Sequence, residues 1–198
     1  MGPNFVRNIT AVALASCLLA SHVSAQQALA IKPLAEKKVA ALPAGDLFWR
    51  IDNFPSLEAA QAAAGEWALV AEAAGKVWLF TLGPAGAASA GVKVAEVGPI
   101  PRVAAQSYLL RINDASGPPG AATPVHSHPG SEAFFVLAGE QSIRGAHGTM
   151  IVKAGQPEAG HGAAMAMQVS SSGATDLHAL VMFVVDAAQP FSSPATLP

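Results

Sequence analysis

The twenty residues Gly120-Ala-Ala-Thr-Pro-Val-His126-Ser-His128-Pro-Gly-Ser-Glu132-Ala-Phe-Phe-Val-Leu-Ala-Gly139 decide how this chain of 198 residues is read. His126 and His128 are two positions apart, so an extended backbone places both imidazoles on one face. Glu132 follows beyond a Pro129-Gly130 turn, where the chain can bring its carboxylate back to the same point. Two imidazoles and one carboxylate on one side of a divalent ion leave its other positions open. A bare His-x-His pair is more often a surface pair beside a turn than a ligand pair. The remaining histidines add weight to the ligand reading: five of the six in the chain fall between residues 126 and 178. Neutral imidazole is the commonest protein ligand for a transition metal.

The fixed positions Gly120, His126, His128, Glu132 and Gly139, with their intervals of five, one, three and six residues, resemble the first signature motif of the cupin superfamily. The flanking Pro124-Val125 and Phe134-Phe135-Val136-Leu137-Ala138 resemble it too. The resemblance implies an all-β fold, a double-stranded β-helix or jelly-roll barrel, with a metal and a small-molecule ligand at its mouth. It extends over residues 107–190 and leaves 26–100 unexplained. In the family a second motif supplies one more histidine, and here that motif is degraded. Gly148 opens it, and a Gly-rich stretch from Ala154 to Gly162 replaces the usual turn. Two alignments follow. With a longer loop, Gln168 takes the histidine's place, and the strand character of Met167-Gln168-Val169 favours this one. With an early return of the chain, His161 is the fourth ligand.

Outward from the motif, apolar runs separated by Gly and Pro predict short strands at 92–97, 108–112, 132–137, 142–144, 149–152, 166–170 and 177–185. Residues 67–82 carry two apolar arms around Ala74-Gly75 and predict a β-hairpin. Ser56 is placed to cap a short helix over 57–64. Residues 26–42 read as a loosely tied arm with at most a short helix. The first 25 residues combine Arg7, an apolar run and small residues at Val23-Ser24-Ala25, which predicts an export signal cut before Gln26. Leu14-Ala15-Ser16-Cys17 also resembles a lipidation box, a less favoured reading. The expected division is therefore a signal peptide over 1–25, an N-terminal extension with helix and hairpin packing on the barrel over 26–100, and the barrel over 101–198. Cys17 is the single cysteine, so no disulfide forms within the chain.

Eleven basic and 13 acidic residues leave a net charge of −2 with no basic block, which excludes nucleic acid as an expected partner. The apolar run of the signal is too short to span a membrane. A small-molecule ligand is the expected partner, and a homodimer is left open. The expected cofactor is a divalent transition metal, iron or manganese first, with nickel, copper or zinc fitting the same donors. Three functions stand: a metal-dependent oxygenase, a cupin-type isomerase or epimerase, and a binding module without turnover. No catalytic residue is assigned. His178, at the start of an apolar strand, is a minor candidate for a supporting role, Arg144 for contact with an anionic substrate, and His147 reads as a turn residue.

Overall fold

The computed structural model describes residue 1 and residues 27–198, so the expected signal segment, its cleavage point and Cys17 lie outside the described residues. The strands are β1 (Ala30–Val39), β2 (Leu47–Phe54), β3 (Ala68–Ala73), β4 (Lys76–Gly83), β5 (Val92–Ile100), β6 (Tyr108–Gly117) and β7 (His126–Ser127). They continue as β8 (Gly130–Ala138), β9 (Glu140–Gly145), β10 (Gly148–Lys153), β11 (Pro157–Glu158), β12 (Met167–Ser171), β13 (Leu177–Asp186) and β14 (Ser193–Pro194). A helix, α1 (Leu57–Ala63), follows β2. Ser56 caps it as expected, its hydroxyl accepting from the Ala59 amide at 3.1 Å.

Two five-stranded sheets, β1-β6-β13-β8-β11 and β10-β9-β12-β7-β14, enclose one core. This is the jelly-roll barrel expected from the motif. A third sheet, β3-β4-β2-β5, covers the outer face of the first and builds a second core with it. The sequence of β13 records this three-layer arrangement. Val181, Phe183 and Val185 face the barrel interior with Phe134, Ile143 and Met167. Leu180, Met182 and Val184 face Trp49, Trp78 and Phe80 of the covering sheet. A strand buried on both faces loses its polar alternation and reads as an unbroken apolar run. Each such side chain contributes about 1.5–3 kcal/mol on burial.

Residues 30–39 correct the expectation of a loose arm. They form β1, paired antiparallel with β6 from Ala30↔Ser116 to Val39↔Tyr108, with a bulge between Pro33 and Ala35. The stretch is exposed, Lys-rich and interrupted by proline, which are features of an edge strand; its order comes from β6, remote in sequence. The hairpin over β3 and β4 forms as expected, and β2, which the sequence reading left out, pairs with β4 and β5. Gly139 makes the turn from β8 to β9 at φ +73°, and a Cβ there would stand 2.5 Å from the Asp176 carbonyl oxygen. Among the described residues no helix is long and apolar enough to cross a membrane.

Candidate metal centre and cavity

His126 and His128 lie at β7 and just beyond it, and Glu132 enters from β8 of the facing sheet. The two imidazole rings meet edge to face, centroids 5.0 Å apart. His128 Nδ1 lies 2.7 Å from the Phe191 carbonyl oxygen, and His126 Nδ1 lies 2.8 Å from that of Pro124. A carbonyl only accepts, so each Nδ1 donates, and in the neutral ring each Nε2 carries the lone pair. An imidazole oriented in this way by a backbone carbonyl is prepared to ligate through its other nitrogen. His128 Nε2 stands 4.0 Å from Glu132 Oε2.

Glu132 is 2% exposed and its Oε1 has no hydrogen-bond partner. Burial pushes its carboxyl up from 4.5 to about 8. Burial also lowers His128 from 6.5 to about 4, outweighing the hydrogen bond to Phe191, and the neighbouring His126 and Arg111 charges push the same way. His161 is lowered too, first by burial, with Glu158 opposing. Its Nδ1 is likewise buried and unpartnered, 4.0 Å from Glu132 Oε1.

The two candidates for the fourth group are thus separated by the geometry. The expectation for Gln168 is not met: its Nε2 donates to the Thr123 carbonyl at 3.0 Å. The cause is strand parity. Met167 and Val169 of β12 point into the barrel core, so Gln168 between them, paired across the sheet with exposed Arg144, points away from it. His161 is carried back to Glu132 because β11 pairs with β8 and the Glu132 amide donates to the His161 carbonyl at 3.2 Å. Gly160 allows that approach, since at φ +61° its Cβ would lie 2.5 Å from the Glu132 carbonyl oxygen. The Gly-rich loop is therefore anchored along a strand.

Among the described residues, no group of three or more His, Cys, Asp or Glu side chains stands close enough to hold an ion as placed. Donors about 2.1 Å from a shared ion lie roughly 3–3.4 Å from one another, so the two 4.0 Å pairs need to close by under about 1 Å. The chemistry of the donors fits a divalent cation: preset imidazoles beside a buried carboxylate with an unpartnered oxygen.

A cavity of about 360 Å³ opens beside these groups. Its walls are mostly apolar, with Ile31, Phe134, Val169, Val181 and Phe183 among them, and among the described residues Glu132 is the only Asp, Glu, Lys or Arg in the lining. The C-terminal segment straps its mouth. There β14 pairs with β7, and the Phe191 ring packs 4.8 Å from His128 and 4.9 Å from Phe183. The Arg111 guanidinium sits 4.1 Å over the Phe191 ring and reaches Glu36 of β1 with its Nε at 2.9 Å. The role of the Phe191 carbonyl escaped the sequence, because nothing local signals which backbone oxygen meets His128.

His178 is not at this site; its Nε2 is 2.8 Å from Asp114 Oδ2, in a separate groove lined by Lys32, Ser116 and Asp176. Arg144 and His147 are exposed at the β9–β10 end.

No family model matches the chain, and no curated protein matches it. Among solved structures it is similar to a cupin-like protein from Thermotoga maritima, at 18% identity and TM-score 0.40, over 44% of this chain and 65% of that one. It is similar to a DMSP lyase from Ruegeria pomeroyi at 23% identity and TM-score 0.38, over 43% of each chain. A Klebsiella pneumoniae protein with a double-stranded β-helix domain is similar at 21% identity and TM-score 0.38, over 44% of this chain and 75% of that one. The matched span is under two thirds of the length of the first two.

Proposed function

We propose that this chain is an exported protein that binds a divalent transition metal at the mouth of its jelly-roll barrel and accepts a small, largely apolar molecule beside it, with oxygenase chemistry as the first reaction class. One observation carries the reading: two histidines, each fixed through Nδ1 on a backbone carbonyl, stand beside a buried glutamate whose Oε1 has no partner. His126, His128 and Glu132 would hold the ion, with His161 as the fourth donor. Iron or manganese there would supply Lewis acidity and redox chemistry.

The protein's own part is binding, orientation and exclusion of water. In the metal-free protein Glu132 holds a proton, and a divalent ion competes with that proton for the same oxygens. Apolar walls and the Phe191 ring keep water from the ligand and strengthen every electrostatic interaction at the mouth. Metal analysis of the protein purified from its native compartment, together with substrate-dependent oxygen uptake, tests the reading. One redox-active ion per chain and oxygen consumption support it; a His128→Ala variant with unchanged metal content refutes the ligand set. Binding without turnover is the second reading. It is favoured by the lining, in which, among the described residues, no Asp, Glu, Lys or Arg other than Glu132 is present to serve as a separate acid or base. An isomerase would need such a partner.

A further inference from the structure

Of the described residues that line the cavity, two carry a buried side-chain atom without a hydrogen-bond partner: Glu132 and Asn113. Glu132 is absorbed by the metal reading. Asn113 is not. It lies on β6, 3% exposed, with Oδ1 unpartnered. Its neighbours across the sheet are Pro33 on β1, Val181 on β13 and, beyond that, Phe134 on β8, none of which has a hydrogen-bonding side chain. A buried amide oxygen left unpaired in an apolar wall is costly to keep and is stabilised by whatever donates to it. Two strand spacings of about 4.8 Å put its backbone roughly 10 Å across the sheet from that of β8, which carries Glu132. The cavity thus has two polar ends with apolar walls between them.

We propose that Asn113 determines ligand specificity by pairing with a hydroxyl on an otherwise apolar, uncharged ligand of about two fused rings. This deepens the small-molecule reading of the cavity and rests on it, while requiring no metal. The size follows from the volume. An apolar cavity of about 150 Å³ takes one benzene, and this one, at about 360 Å³, is more than twice that. Among the described residues no Lys or Arg lines the cavity, which disfavours multiply anionic ligands. A hydroxyl both donates and accepts, so it satisfies either end of the amide.

The test uses the full metal-free chain with 2-naphthol and naphthalene, bound ligand being read from ring fluorescence after equilibrium dialysis. The expected result is that 2-naphthol binds about tenfold tighter, the upper end for one net hydrogen bond. Asn113→Leu, close in size and apolar, should bring 2-naphthol down to the naphthalene level while naphthalene binding persists. In the wild-type protein the Asn113 side-chain amide resonances should shift with 2-naphthol and not with naphthalene, a readout that does not depend on the variant folding. Equal affinities in the wild type, or a preference retained in a folded Asn113→Leu, overturns the role of Asn113 and leaves the cavity reading intact. Binding of neither compound to folded protein overturns the cavity reading and this inference with it.

Discussion

Replacing Glu132 by glutamine in the metal-free protein isolates the energetic cost of the empty site. In the folded chain the Glu132 carboxyl titrates at about 8, against 4.5 for an ordinary glutamate. Between those values the folded state keeps a proton that the unfolded state releases, so stability is fully present below pH 4.5 and is lost as pH rises through 8. At ~1.4 kcal/mol per pH unit, the interval from 4.5 to about 8 corresponds to as much as ~5 kcal/mol. His128 works in the opposite direction. Lowered from 6.5 to about 4, it contributes stability that is present above 6.5 and lost as pH falls through 4, ~3 kcal/mol in all. The two slopes oppose one another between pH 4.5 and 6.5, which places the plateau of apo stability there. Glutamine cannot ionise, so Glu132→Gln should remove the alkaline loss and keep the acid one. Urea unfolding in the presence of a chelator, followed by tryptophan fluorescence, reads the effect. With a slope of about 2 kcal/mol per molar urea, the variant's midpoint should exceed the wild type's by roughly 2 M at pH 9 and converge with it near pH 5. Parallel profiles for the two proteins from pH 6.5 to 9 would refute the argument that Glu132 is held protonated by burial.

His128→Ala should reduce metal affinity by well over tenfold, since loss of a ligand exceeds the 10–100-fold typical of outer partners; metal retention after dialysis measures it. His161→Ala should weaken retention while Gln168→Ala leaves it unchanged, because the Gln168 amide is bonded to Thr123 and faces away from the barrel core; the reverse result would restore the alternative alignment. In the metal-loaded protein, retention should weaken as pH falls below about 8, where the proton held by Glu132 competes with the ion for the same oxygens, and a flat profile from pH 8 to 5 would refute ligation by Glu132. Arg111→Ala should cost about 0.5–1 kcal/mol through the lost cation–π contact with Phe191, and hydrogen exchange should rise over residues 191–195. An unchanged exchange pattern would show that the strap does not depend on Arg111.

What the sequence alone determined is what short-range chemistry governs. The spacing of His126, His128 and Glu132 fixes which side chains can converge, because strand geometry and one turn relate them. The Ser56 cap, the hairpin at Ala74-Gly75 and the apolar strands are local in the same way. The alternation Leu47, Trp49, Ile51, all fully buried, was also legible and marks the missed β2. Tertiary structure decided whatever depends on partners far along the chain. β1 has no strand pattern of its own and is ordered by β6, and Pro33 with three lysines reads as a loop until that partner is present. Whether Gln168 or His161 approaches Glu132 turned on strand parity and on the pairing of β11 with β8, and a one-residue slip reverses the face of every side chain in a strand. Asn113 alternates with Ile112 in β6, and the sequence shows the alternation without showing which face of that strand encloses the cavity. Both faces of its sheet are covered, one by the barrel and one by the third sheet, so hydrophobicity could not mark the inside.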